Sequence, residues 1–300
     1  MNVLIAGGDG FLGRKMAANL LADGHRVVVL TRRRARGSSN GGPSLVQWDG
    51  ATGQGWGHLI DETDVVVNLA GRSLATWPWT RAKKKAFRTS RTVPGRALAA
   101  AILGAQRRPR VFVQNSGIGH YGLRGEIADE STPPADDFLA RLTIELEEAT
   151  KAVEDAGVRR LVTRSAVVLD RSQGMLPIMA MPTRLFMGGP IASGRQAMAW
   201  IHHADWVRAV RFLVEREEAS GAFNLIAPTA VSNADFNHEL ARRLRRPCWL
   251  PLPRLLAQIL LGQMSIIITE GRYSRPRRLL NLGFEFRFPD LADALANLYF

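Results

Sequence analysis

The sequence is poor in the residues that define several protein classes. A single cysteine, Cys248, occurs in 300 residues, which excludes an internal disulfide and a cysteine-based zinc site and suits a reducing cytoplasm. Apolar runs are short. The longest, from Leu255 to Thr269, is broken by Gln258, Gly262, Gln263 and Ser265. It falls below the roughly 20 residues a membrane span requires, so a buried helix is expected there and no membrane partner. Met1-Asn2-Val3-Leu4-Ile5-Ala6 has no basic segment before it and no small-residue cleavage site after it, so no secretion signal is read and the expected location is cytoplasmic. The six histidines show no metal-ligand spacing, and no metal is expected. Acidic residues are also scarce, 27 against 40 basic ones, for a net charge of +13. Anionic ligands are therefore favoured. The arginine clusters are scattered and carry no RNA-binding aromatic motif, so a nucleic-acid partner is disfavoured.

What is present reads as an α/β chain. Val3-Leu4-Ile5 forms a short apolar strand, Phe11 to Ala22 repeats apolar residues at helical spacing, and Val27 to Leu30 forms a second strand. Further strands are expected at 45–48, 65–69, 111–114 and 161–163, with helices at 81–103 and 137–155 between them. This alternation implies a parallel sheet. The expected fold is a Rossmann-type, doubly wound parallel sheet with a smaller C-terminal substrate lobe. Residues 1–165 would form the dinucleotide domain, with 200–228 returning to it, and 166–199 with 229–300 would form the lobe.

Between the first strand and helix lies Gly7-Gly8-Asp9-Gly10-Phe11-Leu12-Gly13, a G-x-x-G-x-x-G turn placed where bare amides and a helix N-terminus can hold a pyrophosphate. Gly7 permits the turn, Gly10 lets the backbone approach the phosphates, and Gly13 allows close helix packing. An NAD site usually ends its second strand on an acid that binds the ribose. Here Thr31 is followed by Arg32, Arg33 and Arg34, which suit a 2′-phosphate, so NADP(H) is the expected cofactor. Asn68-Leu69-Ala70-Gly71 ends another strand at the same sheet edge and leaves room for the cofactor.

These residues resemble the short-chain dehydrogenase/reductase superfamily, and within it the atypical, extended branch of NAD-dependent epimerase/dehydratase-like, sugar-nucleotide epimerase-related proteins. The likeness extends through Trp79 with Ser90-Arg91, Asn115-Ser116-Gly117 with Tyr121-Gly122, Asp129-Glu130, Arg164 with Val167-Val168-Leu169, and Gly188-Gly189-Pro190. It continues in Gly194-Arg195-Gln196, Trp200-Ile201-His202 with Asp205, Asn224 with Ala227-Pro228, Arg246-Pro247 and Pro251-Leu252-Pro253. It implies that Thr31-Arg32, Leu69-Ala70 and Arg91 contact NADP(H). It also implies a proton-transfer pair Y-x-x-x-K, which this chain lacks. Only three tyrosines exist, and Gly125 and Arg277 stand four residues after Tyr121 and Tyr273. The spacing usual in extended members puts the missing pair near Leu139 and Thr143. Ser116 and Tyr121 are therefore the candidate catalytic residues. Arg195, Trp200 and His202 are candidates for binding a small, anionic substrate, and Asp205 for a helix cap. The resulting expectation is an NADP(H)-dependent oxidoreductase or epimerase-like enzyme acting on a carbonyl or sugar-nucleotide-like substrate. The alternative is a catalytically silent NADPH-binding sensor or scaffold.

Overall fold

The computed structural model describes residues 1–33 and 41–299. Arg34, one of the arginines expected at the cofactor, lies outside them. Seven strands form one sheet in the order β3-β2-β1-β4-β5-β6-β9. They are β1 (Asn2–Ala6), β2 (Arg26–Thr31), β3 (Ser44–Gln47), β4 (Val65–Asn68), β5 (Val111–Gly117), β6 (Arg159–Ser165) and β9 (Gly221–Leu225). Every pairing in this sheet is parallel. A separate parallel pair, β7 (Val167–Leu169) with β8 (Trp200–His202), lies between β6 and β9 in sequence.

The parallel sheet follows from the strand sequences. Val3 to Ala6 and Val65 to Val67 are buried on both faces, so the strands read as continuous apolar runs. Crossover helices cover both faces: α1 (Phe11–Ala22), α2 (Arg81–Gly104), α3 (Phe138–Glu148), α4 (Ala152–Asp155) and, after α5 (Leu176–Arg184), α6 (His203–Glu215). Val29, Met16, Leu20 and Trp206 share one apolar core on one face. Phe112, Leu98 and Trp56 share another on the opposite face. Each such side chain contributes about 1.5–3 kcal/mol by leaving water.

A third apolar cluster holds Leu176, Trp200, Phe236, Leu240, Leu291 and Leu295. It joins α5 to α7 (Asn233–Leu244) and to α11 (Leu291–Tyr299). Between these run α8 (Arg254–Leu261), α9 (Ile266–Thr269) and α10 (Arg277–Asn281). The buried helix expected over 255–269 is not what forms. The run divides into α8, a 3₁₀ turn and α9, and α8 buries only Ala257 while Leu255 and Ile259 face outward. Gly262 supplies the break, with φ +55°. No described helix is long and apolar enough to cross a membrane. The cap expected of Asp205 is provided by His202, whose Nδ1 accepts from the Ala204 amide at 3.1 Å. Asp205 instead accepts from the amides of Arg287 and Phe288, at 2.9 and 2.8 Å.

Candidate active site and dinucleotide cleft

The carboxyl ends of the central strands deliver the candidate residues to one edge of the sheet. β1 runs into the glycine turn, where the Gly10 amide donates to the Gly7 carbonyl at 3.0 Å and Gly10 caps α1 with no side-chain acceptor. The first amides of Phe11, Leu12 and Gly13 are thus free of any side-chain cap, and the positive end of the helix dipole faces the edge. Gly7 takes φ +75°, and a Cβ there would stand 3.0 Å from the Leu69 carbonyl. A Cβ on Gly8 would meet Val29 at 2.6 Å, and one on Gly13 would meet the Gly8 Cα at 2.4 Å. Turn, strand and helix therefore close only without side chains at these positions.

The bend after β4 is held from inside the sheet. Buried Asn68 donates to Gln114 at 2.9 Å and accepts from the Ala70 amide at 3.1 Å. This places Leu69, Ala70 and Gly71 beside Gly7. Arg91, on α2, packs against Gly71 and donates to the Phe87 carbonyl at 3.1 Å. It has no carboxylate partner among the described residues. Burial lowers its guanidinium to about 10. A half-buried guanidinium with no carboxylate partner among the described residues, packed on Gly71 at the same sheet edge, is a fit for a phosphate-bearing ligand.

At the end of β2, the Thr31 hydroxyl donates to the Asp9 carboxylate at 3.0 Å, and Arg33 lies 3.6 Å from the same oxygen. Arg32 and Arg33 are both exposed. The second strand lacks an acid of its own, yet the turn supplies one to the same place.

Sheet register builds the other half of the site. Ser116 of β5 is level with Arg164 of β6, which is level with Asn224 of β9. Ser116 donates to Glu147 Oε1 at 2.7 Å. Arg164 clamps both Glu147 oxygens, at 3.0 and 2.8 Å. It also donates to the Tyr121 hydroxyl at 2.9 Å, and that hydroxyl donates to Asn224 at 2.8 Å. Ser116 and Tyr121 are therefore joined through Glu147 and Arg164 rather than directly. Ser116 keeps 8% exposure and Tyr121 none. Burial pushes the Tyr121 phenol up, against the pull of Arg164. His120 lies 3.8 Å from Glu147, and burial holds its imidazole below the usual range despite that carboxylate.

Leu139 and Thr143, where the resemblance puts the missing Tyr and Lys, occupy successive turns of α3. Thr143 meets His120 at 3.5 Å, and Glu147 follows one turn later. Leu139 lines a cavity of about 570 Å³ together with Trp79, Phe138, Leu123, Lys84, Gln258, Ser265 and Thr269. Arg124 and Arg254 also line it, and both are ion-paired to Glu270. Lys84 sits 4.6 Å from the Phe138 ring centre. The volume lies within the range of small-molecule sites.

The three residues read from sequence as substrate contacts lie elsewhere. Arg195 is on an exposed loop, its carbonyl accepting from the Tyr273 hydroxyl at 3.3 Å. Trp200 and His202 are each 1% exposed. None of the three lines the 570 Å³ cavity. Sequence reasoning had not singled out Glu147, which follows Leu139 and Thr143 at intervals of four on the same helix face and so carried a usable signal.

Comparison with known proteins agrees with this geometry. Residues 3–225 match the NAD dependent epimerase/dehydratase family, and residues 252–298 match a domain of unknown function, DUF1731. The chain is 33% identical to the epimerase family protein YfhF of Bacillus subtilis over 99% of its own length and 98% of the relative's. It is similar to the crystal structure of human epimerase family protein SDR39U1 (isoform2) with NADPH, at TM-score 0.88 and 33% identity, covering 100% of this chain and 99% of that one. A nucleoside-diphosphate sugar epimerase from Corynebacterium glutamicum aligns at TM-score 0.81 and 30% identity, covering 100% of this chain and 58% of that one. With a glycine turn, a parallel seven-stranded sheet and relatives matching from end to end, the chain belongs to the NAD dependent epimerase/dehydratase family.

Proposed function

We propose that this protein is an NADP(H)-dependent oxidoreductase or epimerase-like enzyme whose substrate occupies the 570 Å³ cavity beside Leu139. The observation that carries the cofactor reading is Arg91, a half-buried guanidinium packed on Gly71 with no carboxylate partner among the described residues. The uncapped amides of Phe11, Leu12 and Gly13 would hold the diphosphate, Arg91 would balance its charge, and Leu69, Ala70 and Gly71 would wall the cleft. Arg32, with Thr31 and Arg33, would meet the 2′-phosphate. The NADPH in the human relative's structure supports the same choice. Bound there, the dinucleotide supplies or accepts a hydride at the nicotinamide.

The chain's own contribution is positioning and proton handling. Ser116, at the carboxyl end of β5, donates to Glu147 and does not line the cavity, so it would act on a substrate group that extends from the cavity toward the end of β5. Tyr121, fully buried, is a positioning residue that acts through Arg164. Glu147 fixes the Ser116 rotamer. Trp79, Phe138 and Leu139 give the cavity an apolar wall, and Lys84 offers a cation for an anionic or sugar-nucleotide-like substrate. Segments 166–199 and 229–300 would form the substrate lobe against a 1–165 dinucleotide domain, with 200–228 returning to that domain while Trp200 and Ala227 share the third apolar cluster. Cys248 as the single thiol fits a cytoplasmic setting.

The test is NADPH oxidation across a panel of carbonyl compounds, with epimer formation followed directly for nucleotide sugars, because an epimerase regenerates its cofactor and shows no net oxidation. Turnover that falls at least tenfold in Ser116→Ala, with NADPH affinity unchanged, supports the reading. A second reading, a dinucleotide-binding sensor without chemistry, is favoured by Leu139 and Thr143 standing where an acid and base belong. NADPH binding with no turnover across the panel, and equal cell phenotypes for parent and Ser116→Ala, would decide for it.

A further inference from the structure

A second cavity, of about 590 Å³, lies apart from the residues assigned above, where α5, α7 and α11 all end. Five arginines line it: Arg171, Arg184, Arg243, Arg245 and Arg246, with Tyr299 and Leu244. No acidic side chain is among the lining residues. Arg243 alone is neutralised, by Glu239 at 2.8 Å. The others form no ion pair among the described residues. Arg171 and Arg184 approach the Tyr299 ring, at 5.9 and 6.0 Å from its centre, and Arg246 stacks 4.6 Å from that of Phe186. The Tyr299 hydroxyl is enclosed and forms no hydrogen bond of good geometry among the described residues, with the Arg184 guanidinium beside it.

Arginines near helix carboxyl ends have an ordinary role, because each end carries about −0.5 charge. Three helix ends offset about 1.5 of the five positive charges, and Glu239, which Arg243 shares with Arg242 outside the cavity, offsets at most one more. A surplus of roughly two to three remains among the described residues, in an open depression wide enough for more than one phosphate. Guanidinium groups match phosphate oxygens bidentately.

We propose that this cavity is a binding site for a small diphosphate-bearing ligand, separate from the dinucleotide cleft. Arg171 and Arg184 supply the bidentate contacts, and the Tyr299 hydroxyl donates a further hydrogen bond. The site does not depend on the catalytic reading. Arg171 belongs to the 170–174 loop, which is tied to α1 where Asp170 pairs with Lys15 at 2.7 Å and Gln173 bonds Arg14.

The test is calorimetric titration of inorganic pyrophosphate into the full chain, residue 300 included, in the presence of saturating NADPH. The expected result is one site whose affinity falls at least tenfold in Arg171→Gln/Arg184→Gln, falls less in Arg184→Lys, and is unchanged in Arg72→Gln, an exposed arginine elsewhere. Equal affinity in the double variant and the parent would overturn the proposal. So would binding of a single-stranded oligonucleotide without binding of pyrophosphate, which would make the arginines a nucleic-acid surface.

Discussion

Replacing His202 with Asn isolates the contribution of one buried imidazole to acid stability. The ring is 1% exposed and caps α6 through Nδ1, so it is held as the neutral form. It lies against His203 and Phe288, with Arg287, Asp170 and the Asn297 side chain around it. Burial, assisted by the charge of His203, lowers its pKa from 6.5 to about 3, against the opposing pull of Asn297 and Asp170. Between those two values the unfolded chain binds a proton that the folded chain refuses. Stability therefore rises with pH across the window, and falls as pH drops from 6.5 toward 3. One such group gives a slope of about 1.4 kcal/mol per pH unit. Over the full window the loss reaches about 5 kcal/mol, comparable with the net stability of many domains. His120 and His203 shift in the same direction and add to the slope. Asn retains the N-cap acceptor but removes the titration. At pH 7 the variant loses ring packing and is expected to be about 1–2 kcal/mol less stable. Urea unfolding followed by tryptophan fluorescence at pH 4.5, 5, 6 and 7 should give a shallower acid limb, by about 1.4 kcal/mol per unit. Parallel limbs for parent and variant would refute the reasoning.

Three other perturbations test separate parts of the structure. Asp9→Asn removes the carboxylate that occupies Arg33 at the end of β2, and should raise the NADPH-to-NADH affinity ratio about three- to tenfold, read by fluorescence titration; an unchanged or lower ratio counts against a 2′-phosphate at that place. Gly13→Ala places a Cβ 2.4 Å from the Gly8 backbone, so it should lower stability by about 1–3 kcal/mol in urea unfolding and weaken dinucleotide binding with it. Arg164→Met strands the enclosed Glu147 without its bidentate partner, a loss of about 3–5 kcal/mol. The double variant Arg164→Met/Glu147→Leu should recover much of that, and its failure to do so would show that the pair is not the source.

Much of the fold was legible because local patterns and tertiary needs coincide. Apolar strands β1, β2 and β4 and the glycine turn declare themselves, since only glycine satisfies the approaches at 7, 8 and 13. The 255–269 segment was misread because apolar content alone does not say which face is covered, and α8 turns Leu255 and Ile259 outward. The cap of α6 was assigned to Asp205, the residue type that caps most often, while His202 does it from β8. Asp9 was legible as part of the turn but not as the carboxylate under Thr31, because that contact spans 22 residues and depends on how β1 and β2 pair. The Ser116–Glu147–Arg164–Tyr121 chain was hidden for the same reason, being assembled by sheet register across β5, β6 and β9.

The central claim is that the turn after β1 and Arg91 together hold a nicotinamide dinucleotide carrying a 2′-phosphate. Isothermal calorimetry of the full chain with NADPH, beside Arg91→Met, tests it most directly. The account predicts one site per chain, tighter for NADPH than for NADH, and weakened at least tenfold when Arg91 is lost. Absence of heat with both nucleotides, or identical affinity in Arg91→Met and the parent, would contradict it.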